Sequence, residues 1–506
     1  MARDNHVRID RIDVRADETN LVIDAGILAF IQWCERRGVF KLIDLRLPLP
    51  GTNGYTASDM IKALWAAVLT RKGRAVLAVI DELRTNDGMR AILGLRRIPS
   101  AAAVADWLRR LAGVELRHAR GAPCRGGVAD GLVRIQNLFY ELTGQCLKVL
   151  QTWLRRVLDF DAMVIPEEKK YAEWTYEKQR GTMGYLAFMD GICVMAELEP
   201  GNHSPNDHIA ARVSSCLDVC EVAGVSARVL RSDAAGYVAA LFDECQRRGV
   251  QYYVRARNDE AVEASVRAIP KQDWREADVC IAHDDTRRAE LADTTHAMNT
   301  GRHGFRLVAE RREEVEEASP DEELLVAVPR TKTRFLCIAT NDMETPSAEV
   351  VAWYNRRQGA SEQSNDRLKN DVCMGALPCR GEYGLEANRV FAYVWALLHN
   401  MFEWYKRECL PAEDQALRLT THARRDMQIA ARVTYHARVL TLHLASCAKK
   451  AARRLERQIA HIRRVITCIR IPEVAPAYAP LIYRRAAAAV CTVSGVPRRA
   501  CFVRRI

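Results

Sequence analysis

The chain has 506 residues, of which 49% are hydrophobic and 27% charged, and its formal net charge is +11. This length predicts two to four folded domains, and the composition excludes a mostly disordered chain. The longest strongly apolar run, from Val390 to His399, is far short of the ~20 residues that a membrane span needs, and the N-terminus lacks the apolar core of a signal peptide. We therefore expect a cytoplasmic protein that does not enter a membrane.

Residues 20 to 120 predict a succession of short helices. ASDMIKALWAAVLTRKG has apolar residues at three- and four-residue spacing behind a Thr56/Ser58 capping region and ends at Gly73. A later helix is predicted between Pro99-Ser100 and Gly113. Such a succession is typical both of a helix-turn-helix module that reads DNA and of a plain packed bundle, and periodicity does not separate the two.

From about Val157 strands alternate with helices, which predicts an α/β core. VLDFDAMVI is a predicted strand with two aspartates, GYLAFMDGICVMAELEPGN predicts two strands joined near Asp190-Gly191, and SARVLRSDAAG predicts a strand that ends at Asp233. One amphipathic helix is predicted after Ser204-Pro205, and another is closed by Gly249.

Residues 256 to 333 are rich in charge and predict a β-rich insertion, with strand-like pieces such as FRLVAERREE. FLCIATND is again a predicted strand, and SAEVVAWYNRRQGASEQSNDRLKN a predicted helix. EANRVFAYVWALLHNMFEWYKREC is so strongly apolar that the helix it predicts must be buried.

Positive charge is concentrated at the C-terminus. Residues Thr421 to Ile506 contain 18 Lys or Arg and 3 Asp or Glu, a balance of +15, so residues 1 to 420 sum to about −4. A cationic surface of this density attracts nucleic acid, but a solubilising basic helix or tail has the same composition. The composition leaves both interpretations open.

The 16 cysteines include no CxxC pair and no companion His cluster at zinc-finger spacing. In a cytoplasmic chain such cysteines are expected to be reduced, buried, small hydrophobic residues. A zinc site is therefore not predicted.

Three acidic residues from distant stretches form a candidate site. Asp161 lies in the first core strand, Asp233 ends a later strand, and Glu362 lies on the helix after the insertion. If the sheet and the helix pack together, their carboxylates converge, and bound Mg²⁺ would remove the mutual repulsion and support phosphodiester chemistry. Spacing alone leaves ordinary roles open, because aspartates at strand ends are more often helix caps or turn formers.

The segments LDFDAMVI, VLRSDAAGY and YNRRQGASEQSNDRLKN resemble three motifs of the DDE transposases of bacterial insertion sequences. The resemblance is closest to the insertion-sequence-four type, in particular the insertion-sequence-1380 group, and spans most of residues 20 to 465. It implies an α/β fold with a ribonuclease-H-like catalytic core, a β-rich insertion, a helical N-terminal domain and a basic helical C-terminal segment. The expected boundaries are 1–150 for the N-terminal domain, 151–255 and 334–410 for the two parts of the core, 256–333 for the insertion and 411–506 for the C-terminal segment.

The same resemblance implies a metal-binding catalytic triad of Asp161, Asp233 and Glu362. The triad would hold two Mg²⁺ ions, for which Mn²⁺ can substitute. These ions would serve both the cutting and the joining of DNA strands.

The resemblance further implies that Tyr354, Arg357 and Lys369 hold DNA near the cut. Glu362 and Lys369 are seven residues apart, so on a helix they face the same way to within ~20°. The family signature has three residues between its arginine and its glutamate, whereas four separate Arg357 from Glu362. Arg356 is therefore a further candidate for contact with DNA.

The function implied is metal-dependent cleavage at the ends of a mobile element, followed by strand transfer into target DNA. The expected partners are double-stranded DNA, as terminal inverted repeats and as target, and a second copy of the chain in a homodimer assembled on DNA. The expected location is the bacterial cytoplasm, in association with the nucleoid. Two alternatives stay open: a decayed or repurposed DNA-binding protein, and a metal-dependent nuclease on the same core that cuts without joining.

Overall fold

The computed structural model describes residues 18–51, 54–70, 73–115, 126–281, 289–316, 330–357, 366, 375–437 and 439–469. Within these ranges the fold is mixed α/β, with one ten-stranded sheet and one three-stranded sheet. None of the helices in these ranges is long and apolar enough to cross a membrane.

The N-terminal part is helical, as the sequence predicts. After a short strand, β1 (Leu21–Val22), come α1 (Ile27–Arg37), α2 (Val39–Arg46), α3 (Ala57–Thr70), α4 (Val76–Arg84), α5 (Asp87–Ile92), α6 (Ala101–Leu111) and α7 (Gly131–Leu150). The predicted caps are present at Thr56, which exchanges side-chain hydrogen bonds with Asp59, and at Ser100, whose hydroxyl accepts from the Ala103 N–H. Each cap satisfies a backbone donor that the first helical turn leaves without a partner.

The large sheet contains the strands predicted for the core and for the insertion. They are β2 (Val157–Pro166), β3 (Glu173–Trp174), β4 (Arg180–Met189), β5 (Ile192–Pro200), β6 (Val229–Ser232), β7 (Gln251–Arg255), β8 (Arg275–Ala277), β9 (Ala289–His296), β10 (Phe305–Glu316) and β11 (Arg330–Thr340).

At the centre of this sheet, β2 pairs antiparallel with β4 and parallel with β6, and β6 pairs parallel with β7. The local order is β5-β4-β2-β6-β7. Parallel neighbours need crossover connections, and helices α8 (Ile209–Val222) and α9 (Ala239–Arg248) lie on them. Gly249 ends α9 in the left-handed region, at φ 65°, as its position in the sequence predicts.

The insertion extends the sheet on the far side of β7. Strands β11, β10, β9 and β8 follow one another there as antiparallel neighbours, and helix α10 (Glu260–Arg267) packs against β9. The strands expected in this region are confirmed. FLCIATND, however, belongs to a longer strand, because β11 already begins at Arg330 and pairs with β10 along its whole length.

The first two helices described after β11 are α11 (Ser347–Arg357) and α12 (Gly384–Cys409). The prediction that α12 is buried is confirmed, and it packs against α7, α6 and β5. Asn400 of α12 accepts from the Cys193 N–H at 2.8 Å and donates to the Cys193 carbonyl at 2.7 Å and to the Thr143 hydroxyl at 2.9 Å. One fully satisfied amide thus fixes α12 to β5 and α7.

The expectation of a basic helical C-terminal segment is correct only in part. Helix α13 (Leu419–His422) is followed by a hairpin of β12 (Ala431–His436) and β13 (Val439–Leu444), and β12 also pairs with β1. The segment ARVTYHARVLTLHL alternates branched apolar with polar side chains, a period-two pattern that favours strands and that its basic composition obscured. Helix α14 (Lys449–Val465) is present as expected.

The described cysteines are free thiols, and most of them are buried. Burial raises the pKa of the thiols at Cys34 and Cys216, which keeps them protonated. The expectation of burial is wrong for Cys447 and Cys468, which are exposed.

Candidate catalytic site

Two acidic residues lie side by side where neighbouring parallel strands diverge. The last register pair between β2 and β6 joins Phe160 to Ser232, and Asp161 and Asp233 are the next residues on the two chains. The backbone of Asp233 is still extended, with φ −74° and ψ −166°. Because neighbouring strands lie ~4.8 Å apart and side chains alternate with period two, both carboxyl groups lie on the same face of the sheet.

Asp233 also has the capping role that the sequence left open. Its Oδ1 accepts from the Ala235 N–H at 3.0 Å and thereby caps the short 3₁₀ turn Ala234–Gly236. The Ser232 hydroxyl points to the same oxygen at 3.4 Å. Within the residues that the structure covers, Oδ2 makes no hydrogen bond, so one carboxylate oxygen is left for another ligand.

Two residues earlier on both strands, Asp159 and Arg231 face each other on the same side of the sheet as Asp161 and Asp233. They form a bidentate ion pair with distances of 2.7 and 2.8 Å, and each residue is 5% exposed. The guanidinium of Arg231 also lies 4.8 Å from the ring centroid of Trp353 on α11. Asp159, which shares a face with Asp161, is therefore committed to a structural ion pair.

Helix α11 crosses the ends of β2 and β6 and brings two signature residues to the acidic pair. The Tyr354 hydroxyl donates to the Ser232 carbonyl oxygen at 3.1 Å. Nη2 of Arg357 lies 3.1 Å from Oδ1 of Asp161. Tyr354 and Arg357 are three residues apart, so both lie on the same face of the helix.

The electrostatics follow from this packing. Burial alone lowers the pKa of the Arg357 guanidinium, but the negative charges of the aspartates, Asp161 more than Asp233, outweigh burial and the net pKa is raised. Burial raises the pKa of Tyr354, and this effect outweighs the positive charges of Arg357 and Arg255, which lower it. Arg357 therefore stays charged and Tyr354 stays protonated at neutral pH.

Tyr176 is a neighbour of the acidic pair that sequence reasoning missed. It lies in the turn between β3 and β4 and is 56% exposed. Partial burial, then Glu177, and then Asp233 and Asp161 raise its pKa to about 12. Both carboxylates thus contribute to the raised pKa of the Tyr176 hydroxyl, after burial and Glu177. The signal in the sequence was faint, an aromatic residue within the polar stretch EEKKYAEWTYEKQR.

The structure thus brings together Asp161, Asp233, Tyr354 and Arg357. Arg356 is exposed on α11, and Arg357 is the arginine that reaches the acidic pair. Glu362 and Lys369 lie outside the described residues. Within the described residues no group of three or more His, Cys, Asp or Glu side chains could hold a metal ion.

A family model described as Transposase DDE domain group 1 matches residues 5–466. No curated protein matches the chain. Among solved structures, a piggyBac transposase synaptic complex with hairpin DNA is 12% identical over 95% of this chain and 87% of that chain, with a TM-score of 0.39. A Mos1 transposase paired-end complex with the left transposon end is 15% identical over 38% of this chain and 57% of that chain, with a TM-score of 0.15. At such TM-scores the structural likenesses add nothing to the family match.

Proposed function

Because the chain belongs to the family Transposase DDE domain group 1 and is therefore a DNA transposase, we propose that it cuts DNA at the ends of a mobile element and transfers the freed ends into target DNA. The observation that carries the proposal is the adjacency of Asp161 and Asp233 beneath α11. The catalytic and metal-binding residues that we propose are Asp161, Asp233 and Glu362. The DNA-binding residues that we propose are Tyr354, Arg356, Arg357 and Lys369.

The donor set fits a hard divalent cation. Asp161 and Asp233 offer carboxylate oxygens, the ligands that Mg²⁺ prefers, and Oδ2 of Asp233 makes no hydrogen bond with the described residues. Together with Glu362 they would hold two Mg²⁺ or Mn²⁺ ions. When bound, such ions neutralise charge on a phosphodiester and lower the pKa of an attacking water.

The chain's own residues fix the geometry around the acidic pair. The Asp159–Arg231 ion pair fastens β2 to β6, and Arg231 packs on Trp353 of α11. Tyr354 adds a hydrogen bond between α11 and the end of β6. Arg357, beside Asp161, supplies a positive charge that a DNA phosphate can also use.

Both proposed reactions are in-line displacements at phosphorus. In the first, water breaks a phosphodiester bond and leaves a 3′-hydroxyl. In the second, that hydroxyl attacks a phosphodiester of the target and a new 3′-hydroxyl leaves. Since the same charges develop in both, one set of carboxylates can serve both reactions.

Several finer assignments belong to the same proposal. The strand order β5-β4-β2-β6-β7, with the acidic pair at the ends of β2 and β6, supports a ribonuclease-H-like core. We assign the chain to the insertion-sequence-1380 group on its sequence motifs. We further propose that two copies assemble on double-stranded DNA, one for each end of the element, and that the N-terminal helices recognise the terminal repeats.

The test incubates the purified chain with Mg²⁺ and a labelled duplex that carries the inverted repeats flanking its coding region. We expect nicking and joined product from the wild type. Asp161→Asn and Asp233→Asn should each slow cleavage by ~10²-fold or more while DNA binding persists. The control Asp273→Asn, at an exposed position in the turn before β8 and outside the N-terminal helices, should cut like the wild type.

The other outcomes identify the alternatives. Nicking without any joined product would indicate a nuclease on the same core. Binding of the wild type without cleavage would indicate a DNA-binding protein that has lost its chemistry. Either result contradicts the proposed function.

A further inference from the structure

Helix α14 has two very different sides. Its apolar side, including Leu455 and Ile462, is buried and packs against α1 and α12. Its other side is exposed and rich in arginine and lysine. Because the apolar side is already occupied by the core, the helix cannot insert that side into a lipid surface, and it offers mainly charge to solvent.

Four cations form a row along the exposed side, which we call the α14 row: Lys450, Arg453, Arg457 and Arg464. At 3.6 residues per turn they lie within an arc of ~60° and extend over ~21 Å. Each is exposed, and none has an ion-pair partner among the described residues. Arg454, by contrast, is paired with Asp426 at 2.6 Å and serves the fold.

The α14 row lines one side of a groove of about 630 Å³. The opposite side comes from the end of α12 and the following turn, with Cys409, Pro411, Glu413 and Asp414. The charge of Asp414 is already matched by Arg425, at 2.6 and 2.7 Å. Among the groove residues, Glu413 is then the single carboxylate that faces the four cations of the row. The groove is therefore net positive.

We propose that the α14 row binds the phosphate backbone of double-stranded DNA, without reading its sequence, at a surface separate from the elements that carry Asp161 and Asp233. The proposal rests on the proposed function, which makes DNA the substrate. A span of ~21 Å matches ~6 base pairs at 3.4 Å per phosphate on one strand. Gln458, the amide side chain of the groove, is buried and accepts from the Tyr405 hydroxyl, so the contacts that the row offers to DNA are those of its cationic side chains.

The test compares two triple variants of the full chain that lose the same charge. The row variant carries Arg453→Gln, Arg457→Gln and Arg464→Gln. The control carries Arg247→Gln, Arg267→Gln and Arg302→Gln. These exposed arginines lie on α9, on α10 and between β9 and β10, away from the N-terminal helices. All of these arginines lie on the surface, so circular dichroism and thermal unfolding should match the wild type.

Binding of a random-sequence duplex of about 30 base pairs is measured between 50 mM and 200 mM salt, where counterion release dominates. For the row variant we expect the slope of log K against log salt to fall by ~2.7, which is three lost phosphate contacts at ~0.9 each, and affinity at 50 mM to drop at least ~10-fold. The control should keep the wild-type slope. Equal losses in both variants, or no loss in the row variant, would overturn the proposal.

Two further measurements distinguish DNA from lipid as the ligand of the row, and the row from the catalytic site. Both variants should bind vesicles that contain phosphatidylserine as the wild type does. If the row variant lost vesicle binding but kept its DNA binding, the ligand of the row would be lipid and the proposal would be overturned. Asp161→Asn should retain the wild-type salt slope. A chain that fails to cut DNA but retains the slope difference would contradict the proposed function while leaving the α14 row as a DNA-binding surface.

Discussion

The Tyr354 hydroxyl donates a 3.1 Å hydrogen bond to the backbone carbonyl oxygen of Ser232, the residue immediately before Asp233. Ser232 is in turn the register partner of Phe160, the residue immediately before Asp161. One buried hydroxyl therefore ties α11 to the point from which both carboxylates project. Its position makes Tyr354 a residue that orients the acidic pair as well as a candidate for contact with DNA.

Tyr354→Phe removes the hydroxyl and keeps the ring, so it tests the orienting hydrogen bond separately from the packing of the aromatic ring. We expect the free energy of unfolding to fall by about 1 kcal/mol, the usual net value of one hydrogen bond. Single-turnover cleavage should slow by ~10-fold, because small displacements of reacting groups have large effects on rate. The exposed Tyr435→Phe on β12 is the matched control and should change neither quantity. Wild-type cleavage by Tyr354→Phe would show that the bond does not orient the pair.

Removing one partner of the Asp159–Arg231 pair should strongly destabilise this part of the sheet. Arg231→Met leaves a buried carboxylate without its partner and should lower the free energy of unfolding by ~3–5 kcal/mol. The double variant Asp159→Leu with Arg231→Met should recover much of that loss, since no charge then remains buried. Urea unfolding measures each variant. Arg267→Gln, which breaks the exposed pair with Glu263, should cost less than ~1 kcal/mol, and an equal cost for Arg231→Met would contradict the prediction.

Local signals in the sequence predicted much of this fold because they act within a few residues. The caps at Thr56 and Ser100 and the left-handed Gly249 each depend on their immediate neighbours. The burial of α12 followed from composition alone. In the hairpin of β12 and β13 the period-two signal was present, but basic residues such as Arg432 masked it.

The candidate site depended on relationships that no local pattern contains. The register that sets Asp161 beside Asp233 joins strands about 70 residues apart and is decided by sheet packing. The ion pair between Asp159 and Arg231 has the same origin. Family motifs supplied Asp161 and Asp233 as candidates, whereas only the fold revealed which neighbouring side chains hold them in place.

The ionisation of Asp342 should make the free energy of unfolding depend on pH in the acidic range. Burial alone raises its pKa, but hydrogen bonds from Thr345, Tyr253 and Glu344 outweigh burial and lower the pKa to about 2. Because the folded pKa lies below the unfolded value of ~3.9, its contribution is complete above about pH 4 and is lost as the pH falls toward 2.

The measurement is urea unfolding at pH 7, 4 and 3. Asp342→Asn should lower the free energy of unfolding by about 1–3 kcal/mol at pH 7 and should flatten its decline below pH 4. Tyr253→Phe removes only the 2.6 Å hydrogen bond to Asp342 and should flatten the decline less. An unchanged pH profile for Asp342→Asn would contradict the assignment.

Arg357 and a divalent cation should compete for Asp161, because the guanidinium already lies 3.1 Å from its Oδ1. Arg357→Met removes the competitor, so we expect Mn²⁺ to bind the DNA-free chain about three- to tenfold more tightly, equivalent to ~0.7–1.4 kcal/mol. Cleavage should nevertheless slow by at least ~10-fold, because the phosphodiester loses a neighbouring positive charge. An unfolded variant would lose both Mn²⁺ affinity and cleavage activity. Tighter Mn²⁺ binding together with slower cleavage therefore excludes unfolding as the cause. Mn²⁺ titration followed by electron paramagnetic resonance measures the affinity. The exposed variant Arg356→Met is the control and should leave the Mn²⁺ affinity unchanged. Weaker Mn²⁺ binding by Arg357→Met would contradict the predicted competition.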